Sequence, residues 1–205
     1  MIDLYSAGTA NGFRASVALE EAGLSYRVHK VDLAKGEHRS AEFLKRNPAG
    51  LIPVIVDQDG PGAKPLTLSQ SGAIIFYIAE KTGKFLPKDP AQRAVAMQWF
   101  MQGASDVAAT SGAIFRLENS VPEKIPSSVD YFKQRLLGFF SVCDAHLAGR
   151  DYLAGELSVA DLMLYPNFAL RKALVDQAGG FPNLQRWGTT MAARPAVRKG
   201  MEVFD

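Results

Sequence analysis

The polar turn Thr9-Ala10-Asn11-Gly12 holds the first residues able to do chemistry. Thr9 brings a hydroxyl donor and Asn11 an amide donor, and Gly12 has no side chain to keep a ligand off the backbone. Where such a turn opens a helix, free N–H groups and the positive end of the helix dipole stabilise an anion, and a thiolate is such an anion. The same residues equally suit a helix cap with no further role.

Two more motifs have chemical use. In Gly50-Leu51-Ile52-Pro53-Val54 the proline holds Ile52 extended at the start of a strand. With a cis bond, the Ile52 N–H and C=O would face outwards and could pair with an extended peptide; with a trans bond the motif is a plain strand start. In Gln70-Ser71-Gly72-Ala73-Ile74, Ser71 and the free N–H groups of a helix start offer a carboxylate site, with Gln70 able to donate and accept. Alone, this motif too is a good N-cap.

The elements that must position these motifs follow from periodicity. Residues 2–6 read as a strand, 11–23 as a helix stopped by Gly23, 26–31 as a strand and 41–45 as a short helix. Residues 54–56 and 66–68 read as a hairpin around a turn rich in glycine and proline, and 71–82 as a helix. After residue 89 the pattern is helical throughout: 91–118, 127–148, 158–178 and 183–193. We therefore expect an α/β domain over 1–82, a linker over 83–89 marked by Gly83, Pro87 and Pro90, and an all-helical domain over 90–205. Ser158 and Asp161 form a capping box with a Leu157/Leu162 staple, and Pro166 predicts a kink in that helix.

Composition removes several function classes. A net charge of +2 with dispersed basic residues gives no stripe for nucleic acid, and no apolar run nears the roughly 20 residues of a membrane span. The amino end lacks a basic leader, which points to the cytoplasm. Cys143 is the sole cysteine, so no internal disulfide forms, and His29, His38 and His146 lack the spacings of metal ligands.

The order of these motifs resembles the glutathione transferase superfamily over essentially the whole chain. The Thr9-x-Asn11-Gly12 turn, Leu19-Glu20-Glu21-Ala22-Gly23, Val31-Asp32-Leu33 and Glu42-Phe43-Leu44 are most similar to the bacterial Nu class. The resemblance implies a thioredoxin-like βαβ-α-ββα first domain with a mixed four-stranded sheet, a cis-Pro53, an all-α second domain, a homodimer and glutathione as co-substrate. By the same likeness Thr9 and Asn11 face the glutathione sulfur, Leu51, Ile52 and Pro53 meet its cysteinyl backbone, and Gln70 and Ser71 hold its γ-glutamyl group. Lys35 and His38 fall at its glycyl end, and Asp106 is either a solvated helix position or the place where an acidic residue reaches the ligand across a dimer in some classes. His38 replaces a glutamine of similar proteins, Ala10 a proline and Gln70 a glutamate.

With Cys143 placed in the helical domain, the nucleophile must be glutathione itself. Lowering a thiol pKa by about 2 units from about 8.5 takes roughly 2.7 kcal/mol of preferential thiolate stabilisation, within reach of two donors and a helix start. The thiolate could attack a carbon electrophile, a disulfide or a peroxide. Phe13, Phe115, Tyr165 and Phe168 could line an apolar pocket for that second substrate or simply pack in the core. A non-catalytic protein that keeps the fold for interactions is the alternative of a different class.

Overall fold

Burial alternates along β1 (Ile2–Ser6), with Ile2, Leu4 and Ser6 turned inwards, as a half-buried strand requires. β1 pairs in parallel with β2 (Tyr26–Lys30) and antiparallel with β3 (Val54–Asp57), which pairs antiparallel with β4 (Leu66–Ser69). The four-stranded sheet has the order β2-β1-β3-β4. Parallel pairing needs a crossover, supplied by α1 (Ala10–Ala22), and the β3–β4 hairpin is the one expected from the sequence. The short α2 (Ala41–Arg46) precedes β3 and α3 (Ser71–Thr82) follows β4. This is the mixed βαβ-α-ββα arrangement, and the Ile52–Pro53 bond is cis.

The computed structural model describes residues 1–205, in two units: Met1–Lys84 with Ala192–Asp205, and Phe85–Met191. In the first unit, every α1 residue from Gly12 to Leu19 is buried. The helix ends at Gly23, whose φ of 73° lets its N–H turn back to the Glu20 carbonyl, the stop expected there. One flank of α1 packs on α3; another packs on the C-terminal helix Pro195–Glu202, which joins the first unit although sequence reading grouped residues 90–205 together. Pro195 begins that helix, at the position where a missing N–H matters least.

That packing is close. A Cβ on Gly200 would lie 2.6 Å from the Val17 Cα, and the Ser16 hydroxyl donates to the Gly200 carbonyl at 2.6 Å. Arg194 grips Glu21 through Nε at 2.6 Å and Nη2 at 2.8 Å, and Lys199 pairs with Glu20 at 3.0 Å.

The second unit is helical. Following the order of the chain, α4 (Pro90–Met101) runs through a π-helical stretch (Gln102–Val107) into α5 (Ala108–Asn119), so the helix expected over 91–118 is one run with a widened middle. α6 (Pro126–His146), α7 (Val159–Leu170), α8 (Lys172–Ala178) and α9 (Pro182–Ala193) follow, which makes the C-terminal helix α10. The single helix expected over 158–178 is divided at Arg171, where φ −108° and ψ 9° leave the helical region; Pro166 lies inside α7. The Arg171 guanidinium is drawn to Ser111, with Nε 3.0 Å from its hydroxyl and Nη2 2.9 Å from its carbonyl.

The capping box at Ser158 forms and does more than cap. Asp161, fully buried, accepts from the Ser158 N–H and hydroxyl, the Leu153 N–H and the Trp187 indole, all within 3.0 Å. One carboxylate thus fixes the loop before α7 and the aromatic centre of the unit.

Replacing Gly200 with Ala forces α10 away from Val17, and we expect a loss of about 2 kcal/mol in urea unfolding, the usual scale of overpacking. A variant as stable as the parent would show that α10 is not held at this distance.

Candidate active site

Sheet register brings the three sequence motifs to one edge. Tyr5 of β1 lies opposite Val54 of β3, and Val54 lies opposite Ser69 of β4. Hence the turn after Ser6, the Ile52–Pro53 segment and the Gln70–Ser71 step all leave the sheet at the same end. β2 runs parallel to β1, so the loop carrying Lys35 and His38 leaves there as well.

Thr9 is the N-cap of α1. Its Oγ1 accepts from the Gly12 N–H at 3.1 Å, and with that lone pair occupied the hydroxyl still has its proton to donate. Capping and ligand binding, set as alternatives by the sequence, are compatible at this residue. Gly12 has a different role from the one expected: it is buried, and a Cβ would stand 2.1 Å from the Ala7 carbonyl oxygen and 2.6 Å from the Ser6 hydroxyl. The close approach it allows is to the chain's own backbone.

Asn11 is exposed at the first turn, and its Oδ1 accepts from Arg14 Nη1 at 2.5 Å. The same Nη1 donates to the Ser71 hydroxyl at 3.3 Å. Arg14, 1% exposed, therefore joins the starts of α1 and α3. Burial pulls its pKa down to about 10, which leaves it a cation at neutral pH. Sequence reading missed it, because its burial and its bond to Ser71 depend on α3, far along the chain.

At the start of α3, Gln70 takes φ 72° and ψ 113°, a conformation unusual for a residue with a side chain and worth about 1–3 kcal/mol of strain. Its carbonyl accepts from Ile74 N at 2.9 Å, and its exposed side chain makes no capping bond. Strain of this kind is held where neighbours fix the backbone for a task, here turning the chain from β4 into a helix start next to Arg14.

Ile52 packs on Val31, Phe43 and Val54, while Leu51 is exposed and Pro53 buried. The loop before them is shaped by Asn47, also missed: Nδ2 donates to the Leu51 carbonyl at 2.6 Å and Oδ1 accepts from the Ala49 N–H at 3.1 Å. Lys35 forms an exposed pair with Asp32 at 3.1 Å. His38 is half-buried, and its Nε2 accepts from Arg39 Nε at 3.3 Å.

Tyr5 stacks on His29 at 4.4 Å, with the Arg46 guanidinium 4.5 Å from its ring centre. Phe13 is buried against Phe204 at 5.6 Å. The other expected pocket and ligand residues belong to the second unit. Asp106 is half-buried in the π-helical stretch, Phe115 is exposed, Tyr165 packs edge-on to Trp187, and Phe168 sits between Phe140 and Trp187 in the core. Cys143 is also there, wholly buried, and burial pushes its thiol up to about 12, so it carries no thiolate near neutral pH.

Residues 1–80 match the family model of the glutathione S-transferase N-terminal domain, and residues 97–195 that of the C-terminal domain. The chain is 35% identical over 204 residues to the disulfide-bond oxidoreductase YfcG of Escherichia coli K12, covering 98% of this chain and 94% of that protein. The chain belongs to the glutathione S-transferase family. A glutathione transferase from Pseudomonas putida, solved with one glutathione disulfide per subunit, superposes with a TM-score of 0.91 at 33% identity, covering 98% of this chain and 91% of that one. Another from Burkholderia graminis, with two glutathione molecules per subunit, gives 0.90 at 34% identity, covering 98% and 87%.

If the sulfur in use is not the protein's own, Cys143→Ala leaves glutathione-dependent turnover within about twofold of the parent, while Asn11→Ala lowers it about tenfold or more, the scale for removing a single donor to a developing or bound anion. Steady-state rates of the two variants check this; loss in the cysteine variant alone would contradict it.

Proposed function

We propose that this glutathione S-transferase-family protein binds glutathione at the shared edge of β1, β3 and β4, holds its sulfur as a thiolate, and presents it to an electrophile or a disulfide. The observation that carries the reading is the convergence of two helix starts and a buried cation on one sheet edge. Thr9 and Asn11 donate to the sulfur. Ser71, Gln70 and the start of α3 receive the γ-glutamyl carboxylate, and the Ile52 backbone pairs with the cysteinyl unit. Lys35 and His38 lie on the loop nearest the glycyl carboxylate, and an acidic Asp106 from a second copy is part of the same assignment.

Disulfide reduction is the favoured reaction. It is supported by the similarity to a disulfide-bond oxidoreductase and to a transferase solved with glutathione disulfide. The bound thiolate attacks one sulfur of the substrate disulfide, the S–S bond breaks, and the departing thiolate takes a proton. A second glutathione then attacks the mixed disulfide, releasing glutathione disulfide and the second substrate thiol, so two electrons pass from two glutathiones to one disulfide. The protein's task is to raise the thiolate fraction and fix its direction, with no cysteine of its own in the exchange.

A homodimer working in the cytoplasm belongs to the same proposal. It is supported by the family likeness, by a lone buried cysteine suited to a reducing compartment, and by the lack of any helix long and apolar enough to cross a membrane.

Calorimetry with reduced and oxidised glutathione, followed by turnover of bis(2-hydroxyethyl) disulfide and of a chloronitrobenzene with glutathione, tests the reading. We expect both forms to bind and the disulfide to be turned over at least about tenfold faster than the arene, a gap of roughly 1.4 kcal/mol in barrier. Binding of neither form would leave the fold as an interaction platform; faster conjugation would make the protein a transferase in the narrow sense.

A further inference from the structure

Arg14 lies one turn inside α1, buried, with a single nitrogen bonded to both Asn11 and Ser71. A guanidinium has donors and no acceptor. The Asn11 atom facing it at 2.5 Å must therefore be the amide oxygen, which turns the amide NH2 to the opposite side. An asparagine without such a neighbour could offer either end to a ligand, and an oxygen turned towards a thiolate would repel it. The same logic holds at Ser71, whose oxygen accepts from Arg14 at 3.3 Å and whose single proton is left to donate away from the cation.

We propose that Arg14 is a positioning residue that sets the hydrogen-bond polarity of the site, making Asn11 and Ser71 donors to the bound anion. The inference rests on the proposed glutathione site and adds a residue to it. Three features carry it: burial that keeps water from competing for the guanidinium, one nitrogen shared between the starts of α1 and α3, with Ser71 lying 57 residues from Arg14, and the one-way donor chemistry of arginine. Its charge lies behind both donors, so ionisation of a sulfur in front of Asn11 is favoured whether or not Arg14 touches it. Lysine supplies charge and a donor but loses the planar shape; glutamine supplies neither charge nor an obligatory donor face.

The test compares the pH dependence of kcat for glutathione-dependent turnover in the parent, Arg14→Gln and Arg14→Lys, using whichever of the two substrates above reacts faster. In the parent, the acid limb reports the bound thiol and lies below the free-thiol pKa of about 8.5. Arg14→Gln moves that limb up by about one pH unit, so kcat on its acid side falls about tenfold, whereas Arg14→Lys restores most of the loss. A purely structural arginine would lower kcat at all pH values and leave the limb in place, which overturns the proposal. A parent limb no lower than that of free thiol overturns the glutathione site itself. Should Arg14→Gln not fold, nitrogen NMR of the parent decides: the Arg14 guanidinium resonances follow the titration of bound glutathione, and resonances indifferent to it overturn the proposal.

Discussion

The buried position of α1 is the constraint on which the site depends. From Gly12 to Leu19 the helix has no exposed residue, so its axis is set by contact on every flank. At its start, Gly12 fits against the Ala7 carbonyl with no room for a Cβ; further along, Gly200 of α10 likewise leaves no room for one against Val17. A helix held at both places cannot slide or turn, and its first turn is delivered to one point at the end of β1. Thr9 and Asn11 stand at that point for reasons of packing made far from any ligand. Burial of the polar Arg14 within this helix is what ties packing to chemistry, since its bonds to Asn11 and Ser71 span the gap between α1 and α3.

The energetics are consistent with a borrowed nucleophile. Stabilising a thiolate by about 2 pKa units needs roughly 2.7 kcal/mol. A charge-assisted hydrogen bond contributes about 1.5–3 kcal/mol and a helix start about 0.3–1 kcal/mol, so the donors at Thr9 and Asn11 with the α1 terminus are of sufficient size. The opposite environment surrounds Cys143, where burial holds the sulfur neutral. The chain thus keeps its own thiol unreactive, and the site we propose gathers polar groups for a foreign one.

Much of this was legible because it is local. The glycine stop at Gly23, the strand alternation of residues 2–6, the β3–β4 hairpin and the Ser158/Asp161 box are written in neighbouring residues, and each formed as read. What was not legible depends on residues distant in sequence. Arg14 reads as a solvated helix charge until α3 closes over it, and Gly12 reads as a ligand-facing gap until the Ser6–Ala7 backbone fills it. Pro195 has the signature of either a stop or a start, and burial of Val197 and Gly200 against α1 decides for a start. The bond that Arg171 makes at the division of its helix likewise goes to Ser111, sixty residues away. Convergence of the three motifs is intermediate: their order was visible, but their common edge required the strand register.

The measurement that bears most directly on the central claim is an ultraviolet titration of the thiolate in glutathione bound to the unmodified protein. The account predicts that the bound sulfur ionises about 2 pH units below free thiol, whose pKa is about 8.5, so that thiolate absorbance is already high at neutral pH. Absorbance that rises at the same pH as free glutathione, with the complex saturated, would contradict it.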